Sequence, residues 1–453
     1  MFSILLIMLL FTNTLGLFGH GPTMSEIRMN IKYKLNPRDM RVIKKLNGFY
    51  GTIGPNVNIT TVSSLYDLFT CDGNINGIFF DNGELTYVNH FINTEKLIFE
   101  KAYGKLPQNL LMRAILMIFN KIPGFPNVLG VSNTAIIKIK NQIFALFEQD
   151  QPYMLDINFD KKRVSTVKKQ RMEQIEHFSA HSKYDDINNI VHTVDYNVMD
   201  NSISYYKTDD KFNIIKKRSM KTKYVPLAHD LVVLKDGILI TDSPLIFHSN
   251  KLFGNSVPVE FHNDKPTFFH IMDDKTDTTQ TFVCPDSFYI FHYASHKETE
   301  DEIEICASIY ENLDFSKLDI CGKYRKIIIN KNSGVVSIIK NPELEKYNLD
   351  FPVKHGDYVV LRKLTNHRID GFVICEGLTV KKRICLEDKS ACGEPIITKI
   401  DNTPYLITFA YNNSQGFILI IDLITNYKME IPIPHKVNIG FHSIYIEKTG
   451  GGF

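Results

Sequence analysis

The sequence predicts an all-β protein whose strands form one closed array, either a propeller or a large barrel. From Gly48 onward, alternating or β-branched runs of five to eight residues are broken by turn dipeptides such as Asn82-Gly83 and Asp236-Gly237. Strand pairs recur through the whole chain, and no Pro/Gly/Ser-rich linker separates them. Residues 24–453 are therefore expected to form a single domain.

The strand pairs share a pattern of two apolar runs joined by a short polar turn. WD-repeat and kelch signatures are absent, so periodicity alone does not give a blade count. The clearest pairs, in chain order, cover residues 77–91, 134–148, 230–247, 325–339 and 405–423.

Composition excludes several classes of protein. The chain is 44% apolar and 23% charged, which is typical of a globular protein and rules out wholesale disorder. With 52 Lys+Arg against 50 Asp+Glu, its net charge of +2 is too small for a nucleic-acid-binding surface. The seven cysteines include no C-x-x-C pair and are typical of reduced core thiols, which favours a cytosolic compartment. Oligomeric state is left open.

The N-terminus permits two interpretations. Phe2–Phe11 is a continuous apolar run of signal-peptide length, but no basic residue precedes it and no small-x-small cleavage site follows. Met24 could serve as an alternative start. Residues 1–23 are thus either a signal or anchor, or an extension without function, and the expected location is cytoplasmic or peripheral to a membrane, with a signal sequence as the alternative.

One segment departs from the strand pattern. Residues 110–119 (LLMRAILMIF) have helical composition and are apolar except for Arg113. A helix that is apolar on all sides is either buried or in contact with lipid. It is interpreted as a core helix over the β-array or as a membrane patch, formed in the second case by Leu110, Leu111, Ile115, Ile118 and Phe119.

Four of the fifteen histidines adjoin predicted inward-facing strands: His181, His229, His292 and His442. Each alone is typical of a buried, hydrogen-bonded histidine, since an imidazole in an apolar run must have its nitrogens satisfied. The gaps of 48, 63 and 150 residues are far too long for a local metal motif. Only a closed fold that brings distant strands together could unite these four side chains.

Eight segments, taken in order from about Gly48 to His442, resemble the motifs of the carotenoid cleavage oxygenase family. They include FSAHSKYD around His181, PLAHDLVVL around His229, FYIFHYAS around His292 and IGFHSIYI around His442. The other matching segments lie at residues 48–58, 68–97, 132–156 and 393–399.

The resemblance implies a seven-bladed β-propeller, with a short apolar helical segment and a loop cap over a metal on its axis. One Fe(II) per chain would be held by His181, His229, His292 and His442, leaving two coordination positions open. Thr134 would lie near an open iron position. Three carboxylates, Glu148, Asp350 and Glu394, would orient the second, third and fourth histidines. Asp350 replaces the usual glutamate, so it is expected to need a water or a backbone shift to reach its histidine.

The function implied is a non-haem iron dioxygenase that cleaves a conjugated double bond of a carotenoid or apocarotenoid, with an apolar polyene and O₂ as its partners. Three alternatives remain: a stilbene cleaver, an isomerase or ester-cleaving member, and a non-catalytic propeller that binds apolar ligands. For a stilbene cleaver, a tyrosine that anchors the phenol is expected near Phe91. In each enzymatic case an aromatic-lined tunnel selects the bond, and residues 110–119 ring its mouth.

Overall fold

The computed structural model describes residues 26–57, 62–106, 110–120, 122, 124–249, 257–318, 320–412 and 415–448. The expectation for residues 1–23 lies outside the described residues. Helix residues 110–112 are described by their backbone, so the side chains of Leu110 and Leu111 also lie outside the description.

The predicted all-β class is confirmed, with 51% of the residues in strands and 9% in helices. The described α-helices are α1 (Pro37–Lys45), α2 (Leu65–Thr70), α3 (Glu95–Tyr103) and α4 (Leu110–Asn120). The described strands are β1 (Ile27–Asn30), β2 (Gly48–Pro55), β3 (Gly73–Asp81), β4 (Glu84–Phe91), β5 (Ala135–Ile139), β6 (Gln142–Leu146), β7 (Tyr153–Asn158), β8 (Arg163–Lys169), β9 (Lys183–Asp185), β10 (Ile190–Asn197), β11 (Ser202–Asp209), β12 (Ile214–Lys221), β13 (Val232–Leu234), β14 (Gly237–Asp242), β15 (Leu245–Phe247), β16 (Val259–Phe261), β17 (Thr267–Asp273), β18 (Thr279–Cys284), β19 (Tyr289–Glu298), β20 (Glu302–Tyr310), β21 (Lys323–Asn330), β22 (Val336–Ile339), β23 (Asn348–His355), β24 (Tyr358–Thr365), β25 (Arg368–Glu376), β26 (Thr379–Cys385), β27 (Ser390–Ala391), β28 (Ile396–Ile400), β29 (Thr403–Tyr411), β30 (Gly416–Asp422), β31 (Lys428–Ile433) and β32 (Ser443–Glu447).

The strands form antiparallel sheets in which most strands pair with a neighbour along the chain. Four-stranded sheets are built from β5–β8, from β9–β12, from β13, β14, β17 and β18, and from β19–β22, while β15 pairs with β16. Strands β23–β31 form a larger sheet. The predicted turn at Asn82-Gly83 joins β3 to β4 with φ values of 51° and 93°, the left-handed geometry that a two-residue hairpin turn requires.

The two ends of the described chain meet in one sheet, whose order is β1-β4-β3-β2-β32. The last strand runs antiparallel to β2, with Gly48 opposite Glu447 and Thr52 opposite Ser443. The backbone N–H of Ile53 donates to the carbonyl oxygen of His442 at 2.9 Å. This pairing fixes the position of His442, directly before β32, beside the C-terminal end of β2.

Candidate metal centre

The structure brings the four predicted histidines together. One nitrogen from each of His181, His229, His292 and His442 can be chosen so that all four lie within 4.8 Å of one another. The Nε2 atoms of His181 and His229 are 3.0 Å apart. The ring of His181 is 4.9 Å from that of His292 and 4.5 Å from that of His442, between centroids. Histidines whose consecutive members are 48, 63 and 150 positions apart in the sequence thus come together in the fold.

Two of these histidines lie in loops before a strand, and a third lies at an irregularity within a strand. His181 precedes β9 and His229 precedes β13, while His292 lies within β19. The register of β19 against β20 shifts between Ile290 and Tyr293, around His292. Such a bulge re-aims a strand side chain.

Asp230, which sequence reasoning did not single out, ties three of these segments together. Its carboxylate accepts from the backbone N–H of Tyr293 at 3.0 Å and pairs with the Lys183 ammonium at 2.6 Å. Asp230 follows His229 directly, Lys183 lies two residues after His181, and Tyr293 follows His292. Its place in the AHD segment was a signal that could have drawn attention to it.

Each of three carboxylates lies beside one histidine. The Oε1 atom of Glu148 is 2.6 Å from Nδ1 of His229, and Oε1 of Glu394 is 3.3 Å from Nδ1 of His442. Glu394 also accepts from the backbone N–H of Ser443 at 3.0 Å. His181 makes no ion pair with any residue that the structure describes.

The third carboxylate, Asp350, reaches its histidine directly. Nδ1 of His292 lies 3.0 Å from Oδ1 of Asp350. The register of β23 against β24 shifts between Asp350 and Val353, and Phe351 has a φ of 56°. A left-handed φ is unusual for an aromatic residue and costs energy. The shorter side chain is therefore accompanied by a backbone irregularity, one of the two means that its length led us to expect.

The electrostatics favour the neutral form for two of the imidazoles, those of His181 and His292. Burial, and then the neighbouring imidazoles, hold the pKa of His181 well below its ordinary value. Burial also lowers the pKa of His292, against the opposing effect of Asp350. Burial alone would lower the pKa of His229 too, but Glu148 outweighs it and raises that pKa. Neutral imidazole is the form that binds a metal.

The donor set fits a transition metal ion. Nδ1 of His292 faces Asp350, whereas its Nε2 atom is buried and has no hydrogen-bond partner among the described residues. A buried nitrogen without a partner is costly unless a ligand satisfies it. Four imidazoles suit iron, zinc, copper or nickel, and outer carboxylates that face three of them are the usual support of such ligands.

Two cavities meet at this cluster. The inner chamber, of about 230 Å³, is lined by His292, His442, Phe351 and Phe441. The outer chamber, of about 240 Å³, lies beside α4 and is bounded by Met117, Val257 and Phe315 among others. Both chambers are mainly apolar, and the residues that line both are Phe69, Thr134, His229 and Phe291.

Thr134 therefore lies at the junction of the chambers, with its hydroxyl donating to Oδ1 of Asn133 at 3.1 Å. Phe91, by contrast, does not line either chamber. Phenol groups do line the chambers: Tyr310 and Tyr411 line the inner chamber, and Tyr66, Tyr196 and Tyr289 line the outer one.

Helix α4 borders the outer chamber and also presents apolar side chains outward. Leu116 and Arg113 are buried, whereas Ile118 is 71% exposed, Met117 41% and Ile115 36%. Phe119 is half-buried. Of the helices in the described ranges, none is both long enough and apolar enough to cross a membrane.

Three residues around the inner chamber escaped sequence reasoning. The Tyr310 hydroxyl donates to Oδ2 of Asp350 at 2.5 Å. The ring of Phe351 lies 4.5 Å from that of His292, between centroids. The guanidinium carbon of Arg362 sits 3.6 Å from the centre of the Phe351 ring. Phe351 directly follows Asp350 and could have been suspected, but neither Tyr310 nor Arg362 stands in a distinctive segment.

Curated relatives are similar over much of the chain. The carotenoid 9,10(9',10')-cleavage dioxygenase 1 of Pisum sativum is 26% identical over 368 residues, which cover 75% of this chain and 63% of the pea protein. The Arabidopsis thaliana protein of the same name is 25% identical, and the matched region covers 88% of this chain and 84% of the Arabidopsis protein. The chain spans less than two thirds of the length of the pea and Phaseolus vulgaris relatives.

Solved structures share the fold at low identity. A variant of the Synechocystis apocarotenoid oxygenase superposes with a TM-score of 0.74 at 15% identity, covering 95% of this chain and 98% of that one. The Pseudomonas brassicacearum lignostilbene dioxygenase gives 0.76 at 13% identity, with coverages of 94% and 97%. A cobalt-substituted form of the Synechocystis enzyme gives 0.74 at 15% identity, with the same coverages of 94% and 97%.

A family model covers nearly the whole described chain. The model described as retinal pigment epithelial membrane protein matches residues 42–447, a range that contains all four histidines and the three carboxylates beside them. This match confirms the resemblance found in the sequence motifs, and the chain belongs to that family, whose curated relatives here are carotenoid cleavage dioxygenases.

Proposed function

We propose that the protein is an iron(II)-dependent dioxygenase that cleaves one conjugated double bond of a carotenoid or apocarotenoid into two carbonyl products. One observation supports this most strongly: four imidazoles converge at the meeting point of two apolar cavities, and the Nε2 atom of His292 has no partner among the described residues. In this proposal the sheets form a closed seven-bladed propeller, with the metal on its axis.

His181, His229, His292 and His442 would hold the metal. That a structural neighbour is described as cobalt-substituted supports a metal at this place in the fold, because that protein accepts a transition metal ion. When bound, ferrous iron would supply the electron density that activates dioxygen. The double bond breaks, and each of its carbons takes one oxygen atom of O₂, so no side chain has to act as a nucleophile.

The contribution of the chain is to position ligands and to exclude water. Each of the three carboxylates would accept a hydrogen bond from the Nδ1–H group of its histidine, which leaves the Nε2 atom free to bind the metal. The pairs are Glu148 with His229, Asp350 with His292 and Glu394 with His442. Phe69 and Phe291 line both chambers and would pack on a polyene lying across the junction. Thr134, at the same junction, would crowd one open side of the metal with its methyl group.

We also propose that the exposed apolar side chains of α4 contact a membrane surface. Ile115, Met117 and Ile118 are exposed on the helix whose residues Ala114 and Met117 line the outer chamber. A polyene dissolves in lipid, so a chamber that opens beside such a patch can take substrate without passing it through water.

The test is product analysis. The protein is loaded with Fe(II) under nitrogen, mixed with carotenoids, apocarotenoids and stilbenes, and then given isotopically labelled dioxygen. We expect labelled carbonyl products from a polyene and none without oxygen. Products from stilbenes alone would make it a stilbene cleaver, and isomerisation or ester cleavage under nitrogen would indicate that chemistry instead. Stoichiometric iron without any product would contradict the proposal and favour a ligand-binding protein.

A further inference from the structure

Arg362 places a positive charge inside the inner chamber. It lies on β24, directly opposite Asp350 in the β23–β24 register. Its guanidinium carbon stacks 3.6 Å from the centre of the Phe351 ring, a close cation–π contact. The Phe351 ring in turn lies 4.5 Å from the ring of His292 and 5.0 Å from that of His442, between centroids. One aromatic ring therefore separates the guanidinium from two proposed metal ligands.

Within the described residues, the side chain of Arg362 makes no hydrogen bond and no ion pair, although the residue is half-buried. The two carboxylates that act on the charge of Arg362, namely Asp350 and Glu394, already have other partners. Asp350 uses Oδ1 for His292 and Oδ2 for Tyr310, at 3.0 and 2.5 Å. Glu394 faces His442 at 3.3 Å and accepts from the backbone N–H of Ser443 at 3.0 Å.

A guanidinium in an apolar cavity is costly unless an acceptor meets it. Burial lowers the pKa of Arg362 below its ordinary value, although Asp350 raises it in part. Among the described residues, the other titratable groups that line the inner chamber are His229, His292, His367, His442, Tyr310, Tyr411, Cys392 and Asp350. Only Asp350 among them is an anion, and both of its oxygens are occupied. A ligand in the chamber can supply the acceptor that the described residues do not.

We propose that Arg362 binds an acidic end group, a carboxylate, of a polyene whose chain extends from the inner chamber past the histidines. This inference rests on the proposed function and narrows its substrate class, from carotenoids at large to polyenes with an oxygenated, preferably anionic, terminus. The planar guanidinium can donate two parallel hydrogen bonds to a carboxylate, and the Phe351 ring holds its plane in place.

A second arginine could bind the carboxylate instead and has to be tested together with Arg362. Arg113 is buried in the outer chamber, 5.9 Å from the centre of the Tyr66 ring. Glu100 is among the groups that raise its pKa against the effect of burial. Arg362 is the better candidate because its guanidinium is in close stacking contact next to the histidines.

The experiment measures binding, not turnover. The Fe(II)-loaded protein is kept under nitrogen, and the dissociation constants of all-trans-retinoic acid and all-trans-retinol are measured by equilibrium dialysis. The two probes share a polyene and differ in the end group. We expect the acid to bind more tightly, and Arg362→Met to remove that preference by weakening acid binding about tenfold to a hundredfold while retinol binding changes little.

Two control variants sharpen the result. Lys363→Met removes a charge from the adjacent residue, which pairs with Asp370 at 3.1 Å, and should leave the preference intact. Arg362→Lys keeps the positive charge but lacks the planar guanidinium, so this variant should retain part of the preference for the acid. Equal binding of acid and alcohol by the unmodified protein would overturn the inference, whether or not any variant folds.

Loss of the preference in Arg113→Met but not in Arg362→Met would also overturn it, as would equal weakening of both probes by Arg362→Met. The same experiments distinguish a failure of this inference from a failure of the proposed function. Selective acid binding without oxygen-dependent products would contradict the dioxygenase and leave the role of Arg362 standing. Carbonyl products without a preference for the acid would support the dioxygenase and contradict the role of Arg362.

Discussion

Oε1 of Glu148 lies 2.6 Å from Nδ1 of His229, the closest of the three carboxylate–imidazole contacts around the histidine cluster. Burial alone would raise the pKa of the Glu148 carboxyl, but His229 outweighs burial and holds it below its ordinary value. The carboxylate is thus ionised in a buried place, where it can fix the tautomer and the orientation of its imidazole.

Glu148→Gln should therefore weaken metal binding by about tenfold to a hundredfold, because a neutral amide orients the imidazole less strongly and makes it a poorer ligand. The measurement is a competition titration of Fe(II) or Co(II) against a chelator. Glu298→Gln, at the C-terminal end of β19, where the carboxylate pairs with Lys331 at 2.8 Å, is the matched control and should bind metal as the unmodified protein does. Equal metal affinity in both variants would refute the role of Glu148.

Asp350→Glu, which would restore the residue usual in the family, should destabilise this protein. The added methylene has to fit where the Tyr310 hydroxyl already contacts the carboxylate at 2.5 Å. Overpacking of this kind costs about 1–3 kcal/mol in the free energy of unfolding, measured by urea denaturation. In the Tyr310→Phe background the extra cost should be smaller, because the hydroxyl is gone. The same cost in both backgrounds would show that the two side chains do not compete for space.

The stability of the protein should depend on pH through Asp72. Its carboxylate pairs with Lys96 at 2.7 Å and with Lys105 at 3.3 Å. Burial would raise the pKa of Asp72, but the two ammonium groups outweigh burial and lower it. Because the folded-state pKa is below the unfolded one, this stabilisation is present above pH about 4 and is lost as the pH falls through the folded value.

The urea-unfolding free energies of the unmodified protein and of Asp72→Asn should therefore differ most near neutral pH and converge in acid. Asp357→Asn, in the exposed turn between β23 and β24, is the control and should show no such convergence. A difference between the unmodified protein and Asp72→Asn that stays constant from neutral pH into acid would contradict the assignment.

Ile118→Glu should reduce binding to lipid vesicles, because the side chain is 71% exposed on the helix beside the outer chamber. A charge there would have to remain in water and would oppose contact with an apolar phase. Ile187→Glu is the control, since Ile187 is 87% exposed in the turn between β9 and β10. Vesicle sedimentation should separate the two variants, and equal binding would exclude a role for α4 in membrane contact.

The sequence allowed a prediction of the all-β class, because alternating runs and turn pairs such as Asn82-Gly83 are local signals. It could not show on physical grounds that His181 and His442 meet, because their approach depends on sheets separated by most of the chain. Ordered family motifs supplied that link. Arg362 stayed hidden because a lysine follows it in an ordinary strand, YVVLRKLT, and only the fold shows which of the two faces the cavity. The short side chain of Asp350 led us to expect a water or a backbone shift, but the place of the bulge could not be predicted, since its left-handed residue is a phenylalanine and no glycine marks it.

The central claim is that four imidazoles hold one catalytic metal ion. It is tested most directly by metal analysis of the purified, iron-supplied protein beside His292→Ala, with His367→Ala as a control for loss of an imidazole that lines the inner chamber but does not belong to the cluster. We predict one iron per chain in the unmodified protein and in His367→Ala, and almost none in His292→Ala while its circular dichroism spectrum is retained. A well-folded unmodified protein without iron, or a His292→Ala variant that keeps its iron, would contradict the assignment of the site.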